Sequence, residues 1–130
     1  MIHSLRCLTI AAVFAVLGYA SLRGESAVAL RISPAISYAP ATIRFTVIIE
    51  PNARNRQACL DYDGGEAGSS CWDIDGTTPR TQWFTRHIGS AGEYFAVVRV
   101  LQLSATGESR ILSTGARPFQ VLDPGVPFVR

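Results

Sequence analysis

The chain contains no lysine; all twelve basic residues are arginine. Complete replacement of Lys by Arg is what a GC-rich bacterial genome produces, and it carries no functional signal. The arginines stand singly and form no basic run, and the formal net charge is only +2. Nucleic-acid binding therefore has little electrostatic support. Histidine is equally scarce. His3 lies in the leader and His87 is the only other. A tetrahedral zinc site needs more nitrogen or sulfur donors than that. No nucleophile-elbow pattern accompanies His87, so it reads as a surface or strand-end residue. Beyond the leader there is no helical period, no internal repeat and no low-complexity run.

What is present begins with an export signal. Met1 to Arg6 holds one Arg and no acid, and Cys7 to Ala20 is apolar apart from Thr9. About 14 apolar residues are too few to cross a ~30 Å hydrocarbon core comfortably. A basic start and a short apolar run read as a secretory signal peptide, with an uncleaved signal-anchor as the competing reading. Two small-residue sites follow, one ending at Ala20 and one at Ala29. The expected organisation is a leader over 1–29, a sandwich domain over 30–122 and a loose tail over 123–130. The expected location is the periplasm or the cell exterior, with membrane attachment only through an uncleaved leader.

From Leu30 the pattern turns to period two. Thr42 to Glu50 alternates Ile43, Phe45, Val47 and Ile49 with more polar neighbours, the mark of a half-buried antiparallel strand. Arg56–Tyr62 and Ser70–Ile74 form the arms of a hairpin around Gly64, Gly65 and Gly68. Thr81–Ile88, the long Glu93–Ser104 and the edge made of Ser109–Leu112 and Phe119–Leu122 complete the set. About seven short strands separated by turn signals predict an all-β antiparallel sandwich preceded by a signal helix.

Three stretches resemble a known family. Cys59-Leu60-Asp61-Tyr62-Asp63-Gly64-Gly65 is similar to the W-D-F-G-D-G segment of PKD-type domains. Gly92-Glu93-Tyr94-Phe95-Ala96-Val97-Val98 resembles their G-x-Y-x-V-x-L strand, and Ser33-Pro34 with Ala39 to Phe45 resembles their opening. Cys59 replaces the family's Trp, and the insert Glu66–Gly76 is outside its pattern; a generic immunoglobulin-like domain is the rival. Gly92-x-Tyr94 also has the spacing of a tyrosine corner, in which the hydroxyl bonds back to the backbone upstream. The resemblance implies a non-enzymatic binding or structural module with a protein or carbohydrate partner and no cofactor. The alternative is a small carbohydrate-processing or other hydrolytic accessory domain.

Cys59 and Cys71 lie six residues either side of Gly65, and an exported chain favours a disulfide between them. Asp61, Asp63 and Glu66 are the only acids of the hairpin placed to converge on a calcium ion, and Asp73 and Asp75 run away from them. The expectation is a solvated acidic face and no metal. On the alternation that puts both cysteines outward, Leu60, Tyr62, Trp72 and Ile74 face the core. If Phe84 faces in, Trp83 faces out, and Trp83 with Arg86 or Arg80 is the candidate ligand contact. Glu93–Ser104 is apolar on both faces, with Tyr94, Ala96, Val98 and Val100 in one row and Phe95, Val97, Leu101 and Leu103, interrupted by Arg99, in the other. One row fills the sandwich, and the second is covered by loops or tail, or meets a partner.

Overall fold

A computed structural model describes residues 27–125. The expected leader helix and cleavage sites before Ala27, and the end of the expected tail, lie outside the described residues. The alternation read from the sequence becomes nine strands: β1 (Val28–Ser33), β2 (Ile36–Tyr38), β3 (Ala41–Ile49), β4 (Asn55–Asp63), β5 (Gly68–Asp73), β6 (Thr81–Ile88), β7 (Gly92–Leu103), β8 (Ser109–Ser113) and β9 (Arg117–Leu122). That corrects the expected seven. The three-residue β2 sits between Pro34 and Pro40 and is too short to show an alternation. The two stretches read as one continued edge, Ser109–Leu112 and Phe119–Leu122, are separate strands, β8 and β9. The first strand also starts two residues before the expected boundary at Leu30, and Val28 is buried.

The strands form two sheets, one of three in the order β1-β3-β6, the other of six in the order β2-β9-β7-β4-β5 with β8 also on β7. All pairings are antiparallel except β2 on β9. One edge of β7 is covered by β4 along its length. Its other edge is shared, β9 taking Gly92–Ala96 and β8 taking Arg99–Leu103. Buried Thr114 fills the gap between them: its N–H donates to the Val98 carbonyl, and its Oγ1 accepts from the Val98 N–H at 3.1 Å. A gap at the centre of a sheet would otherwise leave buried backbone groups unpaired, at about 1–3 kcal/mol each.

The core lies between the sheets. Ile43, Phe45 and Val47 of β3 face Leu60 of β4 and the row Tyr94, Ala96, Val98 and Val100 of β7, all at 0–1% exposure. Removing that apolar area from water is the principal stabilising term, at roughly 25 cal/mol per Å². The Tyr94 ring stacks on Phe119 with centroids 4.9 Å apart, and its hydroxyl donates to the Ser90 carbonyl at 2.5 Å. This is the back-bond that the Gly92-x-Tyr94 spacing predicts. Gly65 passes so close to this corner that an added Cβ would lie 2.3 Å from the Ala91 carbonyl oxygen, so the hairpin turn requires glycine there. The seam between β5 and β6 is closed by side chains. Trp72 packs on Phe84 at 4.5 Å and donates its indole N–H to Gln82, while Arg86 donates to Ser70 Oγ at 2.6 Å.

Candidate functional site

The central hairpin carries the one covalent cross-link among the described residues. β4 and β5 pair so that Cys59 lies directly opposite Cys71, and the two are joined as a disulfide with Cα atoms 4.1 Å apart. That is close to the ~4.5 Å of a non-hydrogen-bonded antiparallel pair. It lies just under the ~4.4–6.8 Å usual for disulfides. Period two turns both sulfurs to the outer face, because Ala58, Leu60 and Trp72 between them point to the core. Cys71 is exposed and Cys59 half-buried. On the other side of Cys59 stands Arg99 of β7, whose guanidinium pairs with Asp61 at 2.5 Å. Asp61 also accepts from Ser69 Oγ at 2.5 Å. Beyond Arg99, Leu101 lies opposite Ile111 of β8, which is 65% exposed. Gln57, Cys59, Arg99, Leu101 and Ile111 line a hollow of about 290 Å³ with an apolar floor and one cation at its rim. The arrangement presents a disulfide to solvent beside a positive charge, and access is what thiolate attack on sulfur requires.

The three acids considered for calcium do not converge. Asp61 is held by Arg99 and Ser69, Asp63 accepts from the Gly64 N–H, and Glu66 spans to the Gly89 and Ser90 N–H groups at 2.7 and 2.9 Å. Asp73 lies opposite Gln57 and Asp61 opposite Ser69, so the ladder separates the two acid pairs. Asp75 turns to Thr77 and Thr78, and the Thr77 hydroxyl and N–H hold its carboxyl below the usual range. Trp83 is 57% exposed, but the expected trio of Trp83, Arg86 and Arg80 is not one site. Arg86 has the opposite parity on β6 and turns in to Ser70, and Arg80 precedes the strand, offering its carbonyl to Ile49. The cation that reaches Trp83 is Arg44 of β3, 5.3 Å from the ring centroid. Sequence reading missed both Arg44 and Arg99, because their partners come from other strands. The outer row of β7 is open as well: Phe95 is exposed and shares an apolar hollow of about 420 Å³ with Ile36 and Pro118.

No family model matches the sequence, and no curated protein matches it. A solved structure that the chain resembles is a superoxide reductase (neelaredoxin) from Ignicoccus hospitalis, with a TM-score of 0.52 and 12% identity over 78% of this chain and 85% of that one. At that identity the likeness shows the fold alone. It corrects the expectation of a non-enzymatic module and its hydrolytic alternative. That role was inferred from the fold, and in this neighbour the fold belongs to a redox enzyme.

The described residues do not offer a metal centre of their own. No three His, Cys, Asp or Glu side chains gather among them. His87 is bonded to Thr42 at 3.0 Å, and both thiols are spent in the bridge.

Proposed function

We propose that this chain is an exported redox domain whose reacting group is the Cys59–Cys71 disulfide. One observation carries the reading: the bridge lies on the outer face and joins strands that the ladder already pairs, so no core contact depends on it. It can open and close while the sandwich stays assembled. The partner is a dithiol. One of its thiolates attacks the sulfur of Cys59, a residue that lines the hollow, and the S–S bond breaks to leave Cys71 as a thiolate that takes a proton. The second thiolate then attacks the partner's own sulfur in the mixed disulfide and frees Cys59. The bridge gains two electrons and two protons, and the dithiol becomes a disulfide. Arg99 at the rim favours approach of the anionic thiolate, its charge moderated by Asp61. The basic start and short apolar run of the leader support export to an oxidising compartment.

We read the sandwich as immunoglobulin-like within the same proposal. The Tyr94–Ser90 back-bond supports this, as does the position of the Gly92–Val98 stretch at the start of the central strand β7.

The test is equilibrium titration in thiol buffers of set potential, with free thiols trapped by alkylation and counted by mass. Structural bridges of exported proteins have potentials below about −300 mV. The expected midpoint lies above that value, with one cooperative two-thiol step. A bridge still closed in buffers poised below about −300 mV overturns the reading.

A further inference from the structure

The outer face of the three-stranded sheet carries a second constellation, on the side of the molecule away from the bridge. Period two sends Arg44 and Thr46 of β3, Trp83 and His87 of β6 and Arg31 of β1 to that face. The register fixes their layout. Arg31 and Trp83 both lie opposite Thr46, one on each flanking strand, and Thr42 is opposite His87. Arg44 is a diagonal neighbour of both Arg31 and Trp83, because its own partners are Ser33 and Thr85. Diagonal pairs stand about 7–8 Å apart at Cα, within reach of long side chains. Arg44 uses that reach to stack on the Trp83 ring. β1, β3 and β6 contain no Asp or Glu, and neither Arg31 nor Arg44 forms an ion pair among the described residues. An exposed ring, two uncompensated guanidiniums and a row of Thr hydroxyls on the outer face of a sheet form a surface complementary to one chemistry. It is a chain of rings with apolar faces, hydroxyl edges and regularly spaced negative charges.

We propose that this face binds an acidic polysaccharide, with a sugar ring on the part of Trp83 that Arg44 leaves exposed and carboxylates on Arg44 and Arg31. A neutral glycan leaves the charges of both arginines uncompensated. A nucleic acid strand requires successive stacking platforms, and the face has one. The inference is independent of the redox reading, since it uses the other sheet and neither cysteine.

The test is affinity electrophoresis of the full chain through gels containing polygalacturonate, paralleled by tryptophan fluorescence. Saturable retardation is expected, together with a fluorescence change and weakening by added salt, since exposed charges are screened. Arg44→Gln and Trp83→Ala should each weaken binding at least about tenfold, a loss of 1.4 kcal/mol. Trp83→Tyr, which keeps a ring, should restore most of it, and Arg86→Gln should leave it unchanged. Absence of retardation of the unaltered chain overturns the proposal. So does equal retardation by dextran, tighter binding of single-stranded DNA, or an Arg44→Gln chain that is retarded like the original.

Discussion

The two faces of the β4–β5 hairpin, one residue apart in sequence, do different work. The inner face holds Ala58, Leu60, Tyr62 and Trp72, packed against the opposite sheet or its seam. The outer face holds Gln57, Cys59, Asp61, Ser69 and Cys71, where the bridge, the ion pair and the hollow are. A strand with period two assembles the core with one set of side chains and leaves the other set free of packing duties. The disulfide therefore lies on the face that the core does not use, although disulfides in small domains are commonly staples.

Substitutions on the two faces break this comparison if they cost the same kind of stability. The largest effect is expected inside: Leu60→Ala removes a fully buried side chain between the sheets and should cost about 2–5 kcal/mol by denaturant unfolding. If the loss is under 1 kcal/mol, the inner face is not the core of this hairpin. A smaller effect is expected outside. Cys59→Ala/Cys71→Ala should cost on the order of 3 kcal/mol through the unfolded chain, for a loop closed over a separation of 12 residues. The double variant should still unfold in one cooperative step with an unchanged near-ultraviolet dichroism spectrum. A variant that loses that spectrum would make the bridge part of the core after all.

The inner face was legible because burial repeats with the pleat. Alternation separates the row Tyr94, Ala96, Val98 and Val100 from the row of Phe95 and Val97, turns Leu60 and Trp72 inward and, with Phe84 inward, turns Trp83 outward; burial then shows that the Tyr94 row is the inner one. The pairing of Cys59 with Cys71 followed from their equal distance to Gly65, since a hairpin closing there puts them opposite. What alternation could not reach is the partner on a different strand. Asp61 and Arg99 are 38 residues apart, and Arg44 reaches Trp83 diagonally across β3 and β6. Arg86 illustrates a second limit. Its parity faces inward, as a core residue's would, but β6 is an edge strand of its sheet, so the guanidinium finds Ser70 at the seam. The parallel pairing of β2 with β9 left no sign in a three-residue strand between two prolines. The role inferred from the fold fared worst. The same fold houses a superoxide reductase at 12% identity, so the fold alone did not carry the role.

The account rests on the claim that the bridge opens without dismantling the sandwich, and amide hydrogen exchange of the reduced and oxidised forms tests it most directly. Strands β3, β4 and β7 should keep their slow exchange after reduction, and faster exchange should be confined to β5 and the turn at Gly64 and Gly65. Loss of protection across β4 and β7 in the reduced protein would contradict the claim and make the disulfide a structural element of the fold.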